Sequence, residues 1–234
     1  MNDRFRLLTI IIPVYNEHST VIEVIETVSA LELPIEKEII VVDDGSDDGT
    51  AEKLKEHAGP VRIFTNPFNE GKGAAVRVGL ANASGDIILL QDADLETDPN
   101  EYESLIRPIL EGKTSVVYGS RFLNLQNRVP PTRRVANRFL TSVSNLVLGT
   151  QLTDMETAYK VFTSEVAIEL DLESNRFEIE PELTAKISRL GYAIREVPVT
   201  YRPRTRSEGK KIRFRDGLKA IVTILRHGLG RKKT

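Results

Sequence analysis

Ile87-Ile88-Leu89-Leu90 runs directly into Gln91-Asp92-Ala93-Asp94-Leu95-Glu96. The apolar run reads as a strand buried on both faces, and the acids follow where that strand leaves the sheet for a crevice. Carboxylates one residue apart at a strand end can place oxygen ligands around one hard cation. Mg²⁺ or Mn²⁺ held by one or two carboxylates completes its shell with phosphate oxygens and water. The stretch therefore points to a site for a nucleoside diphosphate. A solvated surface turn has the same composition, so this motif decides nothing alone.

Outward from it, short β-rich runs alternate with helical stretches. Strands are expected at Leu7–Val14, Glu38–Val42, Val61–Phe64, Asp86–Leu90 and Thr114–Tyr118. Helices are expected at Ser19–Leu31, Asp48–His57, Gly73–Ala83, Asn100–Leu110 (started by Asp98-Pro99) and about Arg133 to Leu148. The pattern predicts an α/β fold: a mostly parallel, twisted sheet covered by helices on both faces. Ligands of such sheets bind at the carboxyl ends of strands, where the polar clusters of this chain fall. No repeat or linker interrupts the 234 residues, so one domain is expected over 1–234.

The chain has 40% hydrophobic and 28% charged residues and no cysteine, which excludes disulfides, thiolate catalysis and zinc–thiolate sites. Met1–Arg6 lacks the apolar core of a signal peptide, and no apolar run is long enough to span a bilayer. The expected location is cytoplasmic, at most peripheral to a membrane. Net charge is −2, yet seven basic residues (Arg202, Arg204, Arg206, Lys210, Lys211, Arg213, Arg215) crowd into residues 202–215. Such clustering on a near-neutral chain suits a local anionic partner rather than general nucleic-acid binding.

Three further clusters sit at strand ends. Ile12-Pro13-Val14-Tyr15-Asn16-Glu17 offers an aromatic ring and an acid to a nucleoside, or a strand-to-helix turn capped by Ser19. Val42-Asp43-Asp44-Gly45-Ser46-Asp47-Asp48-Gly49-Thr50 places Asp43 or Asp44 in the crevice, with Asp47 or Asp48 suited to cap the next helix. Asn69-Glu70-Gly71-Lys72-Gly73 opens a helix whose N–H groups and Lys72 suit a phosphate or nucleoside. It is not a P-loop, because Asn66 stands where the first glycine belongs and Gly73 replaces the hydroxyl residue.

Taken in order, these motifs and Asp92-Ala93-Asp94-Leu95-Glu96 resemble the inverting family 2 glycosyltransferases of GT-A fold. Gly119-Ser120-Arg121-Phe122, Arg133-Arg134, Thr153–Lys160 and Val197–Tyr201 look like the polyprenyl-phosphate (dolichyl-phosphate) mannose synthase branch. The resemblance runs from about Leu7 to about Leu225. It implies that Pro13, Tyr15 and Glu17 line the nucleotide, Asp44 reads the base, Asp92 lies near ribose and sugar, and Asp94 with position 96 holds the metal. The synthases have Gln where this chain has Glu96, and their basic segment differs from Arg204-Thr205-Arg206-Ser207-Glu208-Gly209-Lys210 by an exchange of Gly and Ser.

The implied reaction moves a hexose, mannose first, from GDP-mannose or a UDP-hexose to a polyprenyl phosphate. An anionic nucleophile needs no strong base but does need guanidinium groups in line. Arg121, Arg133 and Arg134 are the candidates there, with Arg204 and Lys210 over the diphosphate. The acceptor side is expected over residues 121–160 and the basic segment over 202–234. A saccharide acceptor would instead need a carboxylate base, for which Asp154 or Glu156 would serve. Phe214, Leu218, Ile221, Val222, Leu225 and Leu229 recur at helical spacing among basic residues. That pattern suits an interfacial helix on anionic lipid or a terminal helix packed on the core. Membrane contact through a membrane-protein partner is the other expectation.

Overall fold

The computed structural model describes residues 4–57, 59–204 and 214–229, with backbone only at 214–216. Lys210 and the other basic residues at 206, 211 and 213 lie outside the described residues. Among the described residues, seven strands form one sheet: β1 (Leu7–Val14), β2 (Glu36–Asp43), β3 (Arg62–Thr65), β4 (Ile87–Leu90), β5 (Val116–Ser120), β6 (Lys160–Thr163) and β7 (Ile194–Pro198). Their order across the sheet is β3-β2-β1-β4-β6-β5-β7. Strands β1 to β4 pair in parallel, as do β5 and β7. Only β6 runs the other way, between β4 and β5.

Among the described residues, eight α-helices cover it: α1 (Val21–Ala30), α2 (Thr50–Glu56), α3 (Lys72–Asn82), α4 (Tyr102–Leu110), α5 (Pro131–Leu148), α6 (Ser164–Glu169), α7 (Ile179–Arg189) and α8 (Phe214–Gly228). The strands are apolar at successive positions because each face meets a different core. Leu8, Ile10, Ile12, Ile87 and Leu89 pack with Val24 and Ile25 of α1 and Leu105 and Ile106 of α4. Ile11, Ile88 and Leu90 pack on the opposite face with Val76 of α3 and Leu183 and Ile187 of α7. Each such side chain contributes about 1.5–3 kcal/mol by leaving water. At Gly79, any Cβ would meet Ile11 Cγ2 at 2.4 Å, which is how closely α3 lies on β1.

One expected cap is present and two are displaced. Asp98 accepts from Asn100 N–H with Pro99 behind it, whereas the N-cap of α2 is Gly49, with no side-chain cap, and Asp48 Oδ1 reaches Thr50 N–H at 3.0 Å from one residue further out. Ser19 does not cap α1. That helix starts after Thr20, whose hydroxyl turns instead to Glu17 and the Ala93 carbonyl.

Candidate active site

Because β6 is antiparallel, its first residue Lys160 lies opposite Leu90 and Tyr118, at the edge where the parallel strands end. The loops after β1, β2, β4 and β5 therefore gather with the start of β6 around one crevice. The acidic loop after β4 is fixed from all sides. Gln91 is buried, and its Oε1 accepts from Tyr102 (2.7 Å) and Tyr159 (2.8 Å). Leu95 sits at φ 57, a left-handed conformation that costs a branched L-residue about 1–2 kcal/mol. Three contacts hold that turn: Thr20 Oγ1 to the Ala93 carbonyl at 2.8 Å, Arg204 Nε to the Asp94 carbonyl at 2.7 Å, and Glu96 N–H to Asp94 Oδ1 at 3.1 Å.

A buried chain of alternating charge runs beneath the loop. Asp92 Oδ1 meets Lys72 Nζ at 2.6 Å, Lys72 meets Glu180 Oε1 at 2.8 Å, and Glu180 Oε2 meets Lys160. Lys160 also donates to the Thr157 carbonyl at 2.6 Å and lies over the Tyr118 ring at 4.8 Å. Burial opposes the charge on Lys72, but Asp92 and Glu180 together hold the ammonium above the usual lysine range. Asp94 has no basic side chain at ion-pair distance among the described residues. Burial, then the charges of Asp92 and Glu96, push its carboxyl up to about 7.

Those features are what a divalent cation would relieve. Oδ2 of Asp92 and Oδ2 of Asp94 accept no hydrogen bond among the described residues, and oxygen donors of this kind suit Mg²⁺ or Mn²⁺. No three His, Cys, Asp or Glu side chains among the described residues form a ready cage, so substrate oxygens would have to complete the shell. Glu96, the third expected ligand, has both oxygens engaged. Oε1 takes Arg133 Nη1 (3.2 Å) and Arg204 N–H (2.7 Å), and Oε2 takes the Tyr201 hydroxyl (3.0 Å).

The expected phosphate-binding arginines are mostly paired within the protein. Arg121 grips Asp154 in a two-pronged pair, Nε–Oδ2 and Nη2–Oδ1 both at 2.7 Å, and lies over the Tyr201 ring at 5.2 Å. Arg133 reaches Glu96, the Tyr201 hydroxyl (2.7 Å) and the Arg204 carbonyl (3.0 Å). Arg204 straps the acidic loop to β1's end, donating to Glu17 Oε2 (2.8 Å) and Thr20 Oγ1 (3.2 Å). Arg134 differs: it is exposed and has no ion pair among the described residues.

At the end of β1, Pro13, Tyr15 and Glu17, the residues expected to line a nucleotide, are half-buried. Asp44 is 2% exposed and serves the neighbouring loop: Oδ1 takes Asn66 Nδ2 (2.8 Å) and Glu70 N–H (3.2 Å), and Oδ2 takes Gly71 N–H (2.6 Å). That loop presses against Gly45 at φ 70, where a Cβ would stand 2.6 Å from the Phe68 carbonyl carbon. The first turn of α3 is closed as well, since Ala74 N–H donates to the Asn175 carbonyl at 3.0 Å. Lys72 thus faces Asp92 rather than an open anion cradle.

Sequence reading missed Glu180, the hub between the two lysines. Its signal was present, because Glu180 stands three and seven residues before the core side chains Leu183 and Ile187. An acid on the apolar side of a helix wants a buried cation. Glu156 shows a second anomaly. Its Oε1 is shut off from water without a donor, and burial, then the Glu180 charge, push the carboxyl up to about 7.

Residues 9–170 match the family described as glycosyl transferase family 2. Among curated proteins, the chain is 32% identical over 213 residues to the dolichyl-phosphate beta-glucosyltransferase ALG5C of Trichomonas vaginalis, covering 82% of this chain and 63% of that one. It is 30% identical over 209 residues to the glycosyltransferase AglD of Haloferax volcanii, covering 84% of this chain but a third (33%) of the relative. An uncharacterised protein of Methanocaldococcus jannaschii is also 30% identical, over 81% of this chain and 79% of its own length. Among solved structures, glucosyl-3-phosphoglycerate synthase from Mycobacterium tuberculosis, in complex with Mn²⁺, UDP and phosphoglyceric acid, superimposes with a TM-score of 0.74 at 25% identity. That match covers 95% of this chain and 78% of the other, and the sheet and helix layers are those of a GT-A glycosyltransferase. By the match over residues 9–170 and the architecture that carries it, the chain belongs to glycosyl transferase family 2.

Proposed function

We propose that this chain transfers a hexose, with inversion, from a nucleoside diphosphate sugar to a polyprenyl phosphate at a membrane surface. One GT-A domain over residues 1–234 carries the reaction, with 121–160 on the acceptor side and the basic segment 202–234 beside the donor. The observation that carries this reading is the Asp92–Asp94 pair at the end of β4, fixed by its loop contacts, with free oxygens among the described residues and the Asp94 carboxyl raised by burial and by the charges of Asp92 and Glu96. The complex of the solved synthase with Mn²⁺ and UDP supports a divalent ion there. The dolichyl-phosphate beta-glucosyltransferase relative favours glucose over mannose as the sugar, and the UDP bound to the solved synthase favours a UDP-sugar over GDP-mannose as the donor.

Asp92 and Asp94 would hold Mg²⁺ or Mn²⁺, which when bound supplies a Lewis acid for the leaving diphosphate. Glu96 joins them only by releasing Arg133. Lys72 pairs with Asp92 and holds it in place. Tyr15, Pro13 and Glu17 line the nucleoside, with Asp44 shaping the wall that reads its base. Arg204 lies beside the leaving group, and Lys210 belongs to the same basic segment. As the bond from the anomeric carbon to the diphosphate oxygen breaks, its electron pair goes to the diphosphate. An acceptor phosphate oxygen then bonds to that carbon from the opposite face. Arg134, exposed at the start of α5 and with no ion pair among the described residues, would orient the incoming phosphate, with Arg133 beside it. Arg121 holds the acceptor wall through Asp154.

A second reading rests on Glu156. A carboxyl raised to about 7 with an unused oxygen has the character of a general base, which a saccharide hydroxyl needs and a phosphate does not. Incubation with Mn²⁺, UDP-[³H]glucose or GDP-[³H]mannose and a short polyprenyl phosphate separates the two. Label moving into the organic phase is the expected result. Label staying aqueous with both donors overturns lipid transfer.

A further inference from the structure

We propose that the outward side of α5, with the loop before it, seats the protein on an anionic lipid bilayer. This rests on the polyprenyl-phosphate reading, which it deepens by naming the face that meets the membrane. Helix α5 is built the wrong way round for a helix that only packs on a core. Asn137, Thr141, Ser144 and Asn145 lie on its inner side, alongside Leu140 and Val143. Its outer side presents Val135 (70% exposed), Phe139 (58%) and Leu146 (86%) at helical spacing. Leu125, in the loop leading to the helix, is 95% exposed.

Charge identifies the occupant. The chain holds 34 acids in 234 residues, yet none falls between Arg121 and Asp154, where Arg128, Arg133, Arg134 and Arg138 all lie. Arg134 and Arg138 are exposed, one turn apart beside Val135 and Phe139, and neither forms an ion pair among the described residues. Apolar tips interleaved with unpaired arginines match the boundary between acyl chains and anionic headgroups. There the guanidinium groups reach phosphates while the rings and aliphatic tips go below. A water-facing surface gives no reason for the missing acids. The same first turn of α5 carries Arg133 inward to Glu96 at 3.2 Å, so the membrane face and the acidic loop lie on opposite sides of one helix, roughly 10–12 Å across. A phosphate in the headgroup layer would have one helix width to travel.

Co-sedimentation of the full chain with phosphatidylcholine vesicles, with or without phosphatidylglycerol, tests this without any substrate. The wild type is expected to bind the anionic vesicles and to lose binding as salt rises beyond the screening range. Leu125→Asp with Phe139→Asp should cut the partition coefficient on the order of tenfold or more, at an unchanged melting temperature. Arg138→Glu should weaken it without removing any apolar tip. No binding by the wild type, or equal binding by the double variant, overturns the proposal. So does a dimer in sedimentation velocity that the same substitutions dissolve while vesicles go unbound. Transfer to a water-soluble, short-chain polyprenyl phosphate should be unaffected by Leu125→Asp and Phe139→Asp. Vesicle binding that these substitutions abolish, in a protein that glycosylates no polyprenyl phosphate, would sink the acceptor reading and leave the membrane face standing.

Discussion

The two halves of the crevice treat charge in opposite ways. On the β4 side, acids are concentrated beyond what the described residues neutralise: Asp92 has Lys72, but among those residues Asp94 has only a backbone N–H and a carboxyl pushed up to about 7. On the β5–α5 side, the two arginines that turn inward are neutralised from within, Arg121 by Asp154 and Arg133 by Glu96, and Arg204 after β7 is likewise held by Glu17. The first half keeps a surplus of negative charge among the described residues. The second is a scaffold of internal ion pairs, with Arg134 left exposed at its rim.

The sharpest way to break this contrast is to remove an internal partner. Asp154→Ala strands the Arg121 guanidinium in a largely buried position, and about 3–5 kcal/mol of stability should be lost in urea unfolding. A loss below about 1 kcal/mol would mean that Arg121 is free to serve a ligand.

A smaller effect is expected at Glu156. An unfolded glutamate loses its proton near 4.3, whereas the folded one keeps it to about 7. Between those values the folded state binds more protons, so stability falls as pH rises. Glu156→Gln should therefore match the wild type at pH 4 and exceed it by about 1–3 kcal/mol at pH 8, as read from thermal melts. The same variant sharpens the choice of acceptor. With a phosphate acceptor its kcat should stay within about tenfold of wild type; collapse of kcat would select the saccharide reading.

The smallest effect is expected at the strap between the halves. Arg204→Ala frees the Asp94 carbonyl and Glu17 together, and the KM for the nucleotide sugar should rise about tenfold with little change in melting temperature. An unchanged KM would show that the strap does not shape the donor site.

The sheet was legible because its signal is local. Continuous Ile, Val and Leu in β1, β2 and β4 can only be strands covered on both sides, and topology then sends every strand-end cluster to one edge. The reversal of β6 is not a local property of Lys160–Thr163, yet it brings Lys160 to the site. Pairing was also hidden. Arg121 and Asp154 stand 33 residues apart, and Asp44 serves a loop 22 to 27 residues away. An exposed, ligand-seeking arginine and a buried, satisfied one look alike in sequence. Only the placement of a carboxylate distinguishes them.

The central claim is that Asp94 and its neighbour bind a nucleoside diphosphate through a divalent ion. Isothermal titration of UDP and of GDP, each with and without Mn²⁺, into wild type and Asp94→Asn tests it directly. The account predicts that one nucleotide binds, that Mn²⁺ tightens it, and that Asp94→Asn loses the Mn²⁺-dependent part while staying folded. Binding of equal strength without the ion, or undiminished Mn²⁺-dependent binding in the variant, would contradict it.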